Sequence, residues 1–271
     1  LKSRYVLLLV FNFLFTQSEY QILNIPKNSF LLSINNSYAH DHIRNNDKYS
    51  ISYIQYPAQI NFLNFNINKY SFSFLNFGLI EDSIDNNIIN SFQSYEYLIA
   101  YDIIKSNNNL SSSIGFIHSQ IENYESDAFV FNIKKQFKIK SFNAYIAFEN
   151  VGLVLDHYTL NNQNNSYKIQ FGLDNIYPYN NFNFGYDLVY NQFVSSPIHI
   201  VSLSKKFSNY LKFRIANSSN YKKLNAYNNY KDYIYGLSLG FTIYTENNKA
   251  IDIGFLNLGP AGYVYGITMN F

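Results

Sequence analysis

Hydrophobic and polar residues alternate along most of the chain with a period of two. The clearest stretches are 95–103, 167–173, 182–190 and 233–243, where Tyr, Phe, Ile and Leu occupy every second position. Aromatic and β-branched residues in this pattern are typical of β-strands, and the 3.6-residue period of an amphipathic helix is missing. The sequence therefore predicts an all-β protein.

Further runs of the same kind fill the rest of the chain, at 49–56, 60–67, 70–79, 111–118, 128–137, 142–148, 198–203, 211–215, 250–256 and 263–271. Clusters of Asn, Ser, Gly and Pro separate many of them, as at 107–113, 161–166, 217–220, 245–249 and 257–262. The pattern gives about a dozen to fifteen strands. It shows no domain boundary, no linker and no repeat of fixed period.

Composition indicates what surrounds these strands. Charged residues make up 14% of the chain, against roughly 25% in soluble domains, whereas aromatic residues make up 19%. An AT-rich genome would also enrich Asn, Ile, Lys and Tyr, but it would not produce the alternation. A soluble β-sandwich would need charged outward faces, and here the non-aromatic face is Ser, Asn and Gly with a few Lys. We therefore predict a transmembrane antiparallel β-barrel whose aromatic face contacts lipid.

The strand number follows from the chain length. A membrane-crossing strand needs about 9–11 residues, so about 14 strands would use most of the chain and leave short turns. We favour 12–14 strands, and eight to twelve strands with longer loops also fit.

The N-terminal stretch resembles an export signal. Lys2 and Arg4 precede an apolar run at 5–15, which is about the length of a signal-peptide core and too short to span a bilayer. We predict a Sec-type signal peptide at 1–18, with cleavage around 17–19. A buried N-terminal strand or helix is the alternative. The barrel then covers 19–271, with 19–46 as an N-terminal segment that lies partly in the lumen, in a Gram-negative outer membrane.

The final strand carries a second export feature. Tyr263, Tyr265, Ile267, Met269 and Phe271 occupy alternate positions, and Phe271 is the last residue given. A barrel closes by pairing its last strand with its first, so that no edge remains exposed. A terminal aromatic residue on such a strand resembles the signal that outer-membrane proteins present to the barrel-assembly machinery. We predict that these five residues form that signal.

Charge and cysteine content exclude several functions. The formal net charge is +2, and without Lys2 and Arg4 the basic and acidic residues balance at 18 each, which argues against nucleic-acid binding. The chain has no cysteine, which excludes disulfides, cysteine–zinc sites and thiol nucleophiles. We predict no cofactor.

The histidines give no strong signal for catalysis or metal binding. His40 and His42 share a face if the segment is a strand and could meet one metal ion, but AHDHIRNND reads better as a polar segment without metal. Asp156 and His157 with a distant serine could form a hydrolase triad, but no G-x-S-x-G motif is present. The stretch reads better as a strand that runs into a surface loop. We predict no catalytic and no metal-binding residue.

Two further residue groups have alternative interpretations. Glycines within strand patterns mark either openings in the barrel wall or, as we favour, close packing and bends; they are Gly115, Gly172, Gly185, Gly236, Gly240 and Gly254. The basic residues in the stretches 134–135 and 205–214, which include Lys212 and Arg214, lie either near lipopolysaccharide phosphates and anionic headgroups or at ordinary solvated strand ends.

Several segments, in order, resemble the PorV/PorQ family of outer-membrane proteins associated with type IX secretion, and PorQ more than PorV. They are 20–39; 51–85, with its F-L-N-F-G turn at 74–78 followed by Glu81 and Asp82; 111–137, with a loop from Ser119 to Ser126 around Tyr124; 144–159; and 235–271. The similarity covers most of the predicted mature chain. The chain lacks the A-L-G-G-A and N-P-A segments that this family carries near the mature N-terminus.

The resemblance implies a FadL-like barrel of about fourteen strands without enzymatic activity. It implies a membrane anchor in protein export to the cell surface, with type IX secretion components, outer-membrane lipid and lipopolysaccharide as partners. In FadL-type barrels the N-terminal region fills the lumen as a plug or hatch. The rival hypothesis is a FadL-like transporter of hydrophobic molecules, which predicts an apolar lumenal pocket, an N-terminal hatch and a gap in the wall.

Overall fold

The computed structural model describes residues 20–40, 48–84, 87–107, 109–156, 167–175, 179–192, 196–223, 234–245 and 249–271. The predicted signal peptide at 1–18 lies outside these residues. The described residues form fourteen strands, one short α-helix, α1 (Ser29–Leu32), and three 3-10 helices of three to five residues. The strands are β1 (Tyr49–Gln55), β2 (Asn61–Ile67), β3 (Tyr70–Ile84), β4 (Asn87–Asn107), β5 (Leu110–Ile121), β6 (Tyr124–Ile139), β7 (Phe142–Asp156), β8 (Lys168–Asn175), β9 (Phe182–Asn191), β10 (Ile198–Lys206), β11 (Leu211–Ser218), β12 (Leu237–Tyr244), β13 (Ala250–Asn257) and β14 (Tyr263–Asn270).

These strands form one closed antiparallel barrel. Each strand pairs with its neighbours in sequence, and β1 pairs with β14, with Ile51 opposite Met269. The prediction of an antiparallel barrel of about 14 strands is confirmed. Within the described part of the chain, no helix is long and apolar enough to cross a membrane.

The alternating pattern separates the two faces of the wall as predicted. In β14, Tyr265 is 56% exposed and Ile267 is 39% exposed on the outer face, whereas Val264 and Thr268 are buried towards the lumen. Successive side chains of a strand point to opposite faces, so the aromatic and aliphatic positions form the outer surface.

One of the predicted runs is interrupted. The alternation at 233–243 predicts that Tyr235 lies on the outer face with Phe241, but β12 begins only at Leu237. Tyr235 is buried, and its ring packs where a Cβ on Gly259 would lie. The cause is a turn at Gly236, whose φ of +79° ends the alternation before the strand begins.

The fourteen strands differ in length. Strands β3 to β7 have 15, 21, 12, 16 and 15 residues, whereas the other strands have 7 to 10. Beyond Asn76, β3 pairs with β4 alone, and beyond Glu149 the described part of β7 pairs with β6 alone. These strands therefore run past the rest of the wall. We call residues 77–84, 87–97, 116–131 and 150–156 the distal extension.

The two ends of the barrel are distinct. Strand β1 begins and β14 ends at what we call the terminal rim, where Asn68–Lys69 and Lys140–Ser141 form tight turns. The longest connections, 157–167 and 219–236, belong to the opposite, distal rim. Barrels of bacterial outer membranes have short periplasmic turns and longer extracellular loops.

Candidate functional site

Residues 20–40 lie inside the barrel, and we call them the plug. The main chain enters α1 at Asn28, whose side-chain Oδ1 accepts a hydrogen bond from the backbone N–H of Leu31 at 2.9 Å. This N-cap fixes a single helical turn whose Phe30 and Leu32 are buried against the wall. The wall strands that contact α1 are mainly β12, β13 and β14.

A row of glycines makes room for the plug. Gly240, Gly254 and Gly266 lie directly opposite one another on β12, β13 and β14. A Cβ on Gly254 would clash with the backbone oxygen of Ser29, and a Cβ on Gly240 would clash with the side chain of Ser33. Larger residues in this row would displace α1 from the wall.

The other glycines of the strand patterns also mark close packing. A Cβ on Gly185 would overlap Ala39 of the plug, and one on Gly172 would overlap the Tyr145 ring. A Cβ on Gly115 would likewise overlap the Leu98 side chain. Of the two interpretations of these glycines, close packing is confirmed at these positions and at Gly240 and Gly254.

A buried ion pair holds the plug near α1. The Arg214 side chain is fully buried, and its Nη2 lies 3.0 Å from Asp252 Oδ1. Its Nε donates to Ser33 Oγ at 2.7 Å, and its guanidinium carbon lies 4.5 Å from the centroid of the Phe30 ring. Arg214 thus connects β11 and β13 to the plug.

Two more lumenal carboxylates accept hydrogen bonds from the plug. Glu96 on β4 accepts from the backbone N–H groups of Gln21 and Ile22, at 3.1 and 2.7 Å. Asp187 on β9 accepts from the Ser37 hydroxyl and, at 2.9 Å, from Gln170 Nε2. These bonds tie the plug to widely separated parts of the wall.

An apolar cluster fills part of the lumen around the start of the plug. Tyr20 and Ile22 are buried in it, and Tyr20 OH lies 2.6 Å from Ser126 Oγ. The buried wall residues of this cluster include Ile54, Phe62, Leu75, Leu98, Ile117, Ala128, Val130, Val154, Leu256 and Val264. Many of these residues lie near the distal ends of their strands, so the apolar seal is nearer the distal rim.

A polar cavity occupies another part of the lumen. It has a volume of about 410 Å³ and reaches the terminal rim, since Asn68 and Asn109 of two tight turns line it. The plug contributes Leu23, Ile25, Lys27, Asn28, Leu31, Asn36 and Tyr38, and strands β1 to β8 contribute mainly Ser, Asn and charged side chains, among them Ser50, Asn64, Asn66, Ser71, Asp102, Ser112, Asn132, Lys134, Gln136, Glu149, Asn150 and Lys168.

Tyr38 is at the centre of the charged groups of this cavity. Its hydroxyl donates to Glu149, which also forms an ion pair with Lys168. Lys134 Nζ lies 4.6 Å from the centroid of the Tyr38 ring. Burial lowers the pKa of Lys27 on the plug, although the nearby Glu149 partly opposes this shift.

A β-bulge turns two successive residues of β7 into the lumen. Asn150 has a φ of +62°, and both Glu149 and Asn150 are buried. The register of β6 with β7 shifts between Phe131 and Ile133, and Asn132 Oδ1 accepts from the backbone N–H of Asn150 at 2.8 Å. Bulges of this kind redirect side chains, and here the bulge brings Glu149 to Tyr38 and Lys168.

The predicted C-terminal signal residues lie together on the outer face of β14, with Phe271 directly after it. Phe271 is 50% exposed, its backbone N–H donates to the Tyr49 oxygen at 2.9 Å, and Lys249 Nζ lies 5.6 Å from its ring centroid. The structure places Phe271 at the barrel seam. Its role as an assembly signal stays a prediction.

The histidine hypotheses fall partly outside the described residues. His40 is buried, with Nε2 3.0 Å from Ser202 Oγ, but Asp41 and His42 are not described. Strand β7 extends to Asp156, and His157 with the rest of the proposed loop lies outside the described residues. Where the structure describes the chain, no group of three His, Cys, Asp or Glu side chains could hold a metal ion.

The basic stretches divide between the lumen and the rim. Lys205 Nζ lies 4.5 Å from the centroid of the Phe182 ring at the terminal rim, where Lys206 is exposed. Lys212 and Arg214 are buried in the lumen, so for this pair both predicted placements, near headgroups or at solvated strand ends, are wrong. The sequence already indicated that Lys212 and Arg214 face inward, because they alternate with Leu211 and Phe213, which face outward.

The terminal rim carries further exposed lysines. Exposed side chains at this rim include Lys48, Lys69, Lys138, Lys140, Lys206 and Lys249. The distal extension contains no Lys or Arg in its sequence, and its acidic residues are Glu81, Asp82, Glu96, Glu122, Glu125, Asp127 and Asp156. The terminal rim is therefore rich in lysine, whereas the distal extension has neither lysine nor arginine.

Comparisons with known proteins give only distant similarity. No protein-family profile matches the sequence, and no curated protein matches it significantly. A solved structure of a KdgM porin is similar, with 13% identity and a TM-score of 0.36 over 82% of this chain and 99% of that chain. A structure of KdgM porin in complex with disordered oligogalacturonate is similar at 12% identity and the same TM-score, over 82% and 98%. At these values the fold assignment depends on the strand pairing of the chain itself.

Proposed function

We propose that this protein is a non-enzymatic outer-membrane barrel that resembles PorQ and anchors components of a type IX export system at the membrane. The observation that carries the proposal is the plugged lumen. Hydrogen bonds from the plug to Glu96, Asp187 and Ser238 join it to three separate strands of the wall. A barrel filled in this way is a rigid body suited to holding partners.

The distal extension supplies a surface for such partners. A membrane-crossing strand needs about 9–11 residues, so strands of 15 to 21 residues reach beyond the bilayer. On its outer face His118 Nδ1 lies 2.8 Å from Asp127 Oδ1, and the His118 ring stacks on Tyr97 at 4.9 Å between centroids. Aromatic side chains with polar groups at their edges are common in protein–protein interfaces.

The basic terminal rim supports a fixed depth in the membrane. Lys69 and Lys249 lie over the rings of Tyr101 and Phe271. Such lysines extend from an aromatic girdle to anionic headgroups, with about 1 kcal/mol for each lysine near an anionic surface. Outer-membrane lipid, lipopolysaccharide and, during insertion, the barrel-assembly machinery are the other partners in this proposal.

The second candidate function is FadL-like transport of hydrophobic molecules. The position of the plug favours it, since that hypothesis expects an N-terminal hatch in the lumen. The cavity lining opposes it, because Ser, Asn and charged side chains predominate there. The described strands also pair around the whole barrel, where that mechanism needs a gap in the wall.

A pull-down from the native outer membrane tests the proposal. The tagged protein is isolated in mild detergent, and co-purifying proteins and lipids are identified together. We expect export components to be recovered, and to be lost when deletion of 79–92 joins Gly78 to Gln93 and shortens the distal extension. Deletion of 225–232, in another connection of the same rim, is the matched control.

Two results would contradict the anchor role. A sample without protein partners that carries stoichiometric fatty acid or another lipid would make the protein a transporter. Equal recovery of export components with both deletions would show that the distal extension does not bind them.

A further inference from the structure

Strand β3 has an open edge in the distal extension. Strand β2 pairs with β3 only as far as Asn76, and residues 79–84 of β3 pair with β4 on one side. Among the described residues, no strand pairs with 79–84 on the other side. An antiparallel strand directs the N–H and C=O groups of alternate residues to each side, so this edge presents backbone donors and acceptors over about 20 Å.

The connection between β1 and β2 does not cover this edge. It is a short turn at 56–60 that lies wholly within the described residues. The turn meets β3 at Gly78, where a Cβ would lie 3.7 Å from the Gln59 oxygen. Gly78 has a φ of +79°, and the register of β3 with β4 shifts between Asn76 and Leu79. The open edge therefore begins directly beyond the turn.

The edge is accessible from water in the membrane position proposed above. Strand β3 begins at Tyr70 on the terminal rim, and about 9–11 residues are enough to cross a bilayer, so its last residues lie beyond the membrane. Open strand edges do not occur in contact with lipid hydrocarbon, because their backbone groups would have no partner there. In water, such an edge is a recognised binding site for an extended peptide, which adds to the sheet as a further strand.

The sequence of the edge selects the kind of partner. Residues 79–84 read L-I-E-D-S-I, and the distal extension has no Lys or Arg. Antiparallel pairing with the same edge of a second copy, centred between Glu81 and Asp82, would place these acidic residues opposite each other. Like charges opposite each other destabilise a strand pair, whereas opposite charges stabilise it. A strand with basic residues therefore fits this edge better than a second copy does.

We propose that the edge of β3 at 79–84 binds an extended basic segment of a partner protein as an additional β-strand. The backbone of this segment pairs with β3, and its Lys or Arg residues compensate the charges of Glu81 and Asp82. The inference specifies how a partner binds the distal extension, and it rests on the proposed function for the identity of that partner.

A model peptide tests the site on the complete barrel. A short fluorescent peptide of alternating Val and Lys is titrated with the barrel in a neutral maltoside detergent at physiological ionic strength, and its anisotropy is measured. We expect one peptide to bind per barrel. Replacing the internal valines by proline keeps the charge but removes backbone donors, and replacing lysine by glutamate keeps the strand pattern but reverses the charge. Each change should weaken binding at least about tenfold.

Charge-reversal variants locate the binding. Glu81→Lys combined with Asp82→Lys should weaken binding at least about tenfold. Glu122→Lys combined with Glu125→Lys is the matched control, since both residues are exposed in the same extension. It should leave binding within about twofold. Strands β3 and β6 are separated by three strand spacings, about 14 Å, which exceeds the Debye length of about 8 Å at physiological salt.

Cross-linking tests the strand geometry. Because the chain has no cysteine, Ser83→Cys provides a single thiol at the edge. Peptides that carry one cysteine at successive positions are oxidised with this variant. Neighbouring positions of an added strand face opposite sides, so disulfides should form at every second peptide position. Equal cross-linking at all positions would show that the peptide does not add as a strand.

Other results would also overturn the proposal. They are the absence of binding at millimolar peptide concentration, equal binding of the proline peptide, and equal weakening by the two pairs of lysine substitutions. The assay contains no export component. Peptide binding together with a failed pull-down would therefore contradict only the anchor role. Absence of peptide binding, with export components still lost on deletion of 79–92, would contradict only the strand-binding edge.

Discussion

Two parts of the lumen wall use the same sequence pattern for different purposes. Along β11 to β14 the small or polar residues between outward aromatics receive the plug, with Gly254 beneath Ser29 and Arg214 bonded to Ser33. Nearer the terminal rim, many of the equivalent positions along β2 to β7 are Asn and Ser, and they line a cavity. The alternation determines which residues face inward. Residue size and the partners on the plug determine whether the space is filled.

We call β11 to β14 the plug-bearing wall. This contrast predicts that side chains of the plug-bearing wall contribute more to the free energy of unfolding than those that line the cavity. Arg214→Met keeps most of the side-chain volume but leaves Asp252 buried without its ion partner, which costs about 3–5 kcal/mol. Urea unfolding in detergent micelles, followed by tyrosine fluorescence, measures the loss.

Two further variants separate the ion pair from charge in general. Lys206→Met removes a lysine that is exposed at the rim and should change the free energy of unfolding by less than about 0.5 kcal/mol. The double variant Arg214→Met with Asp252→Leu should recover part of the loss, because it removes both buried charges. If Arg214→Met were as stable as Lys206→Met, the plug would not be held by this network.

The second prediction concerns the glycine row. Gly254→Val places a side chain where the Ser29 backbone lies, so α1 must leave the wall. Because the chain has no cysteine, Ile34→Cys provides a single reporter, and Ile34 is fully buried in the plug. Maleimide should label this cysteine slowly in the parent barrel and at least about tenfold faster with Gly254→Val.

Ile253→Val is the control for this experiment, since it changes the neighbouring residue on the outer face. It should leave the labelling rate as in the parent. Rapid labelling in the parent itself would mean that the plug leaves the lumen without any clash.

Much of this architecture was predictable from the sequence because alternation is local information. The run at 263–271 predicts which side chains of β14 face outward, and the lone charges that alternate with aromatics, such as Glu96 and Asp187, indicate a polar lumen. The contacts that hold the N-terminal segment in the lumen were not predictable. Ser33 meets Arg214 across 181 positions of sequence, and nothing in either stretch specifies the other.

One interpretation failed because a turn interrupts the local alternation. Tyr235 continues the alternate pattern of 233–243, yet the left-handed turn at Gly236 removes it from the outer face. The length of β4 was also underestimated. Residues 87–94 pair only within the distal extension, and their sequence does not alternate between apolar and polar residues as a lipid-facing strand does.

A third prediction compares the two walls directly. Tyr38→Phe removes the hydroxyl that donates to Glu149 in the cavity, and should cost about 1–2 kcal/mol of unfolding free energy. This is less than the loss with Arg214→Met, because Glu149 keeps its ion pair with Lys168. Tyr70→Phe is the control, since Tyr70 is 62% exposed. A loss as large as that of Arg214→Met would show that the cavity wall also holds the plug.

The smallest effect is expected for Lys27→Met in the cavity. Burial lowers the pKa of Lys27, although Asp102 and Glu149 oppose this shift, whereas Lys134 and Lys168 add positive charge to the same space. The folded state therefore disfavours the charged form, and removing the charge should leave stability at neutral pH unchanged or slightly higher, by no more than about 0.5 kcal/mol.

The pH dependence of this difference identifies its cause. Below the lowered pKa, Lys27 is charged in the folded and unfolded states, and the burial penalty is fully present. As the pH rises through that value towards 10.5, Lys27 loses its proton in the folded state first, and the penalty falls. The parent protein should therefore gain stability relative to Lys27→Met over this range. A parent that loses stability relative to Lys27→Met as the pH rises would mean that the folded state favours charged Lys27. The cavity would then resemble the wall formed by β11 to β14, where charged groups stabilise the folded state.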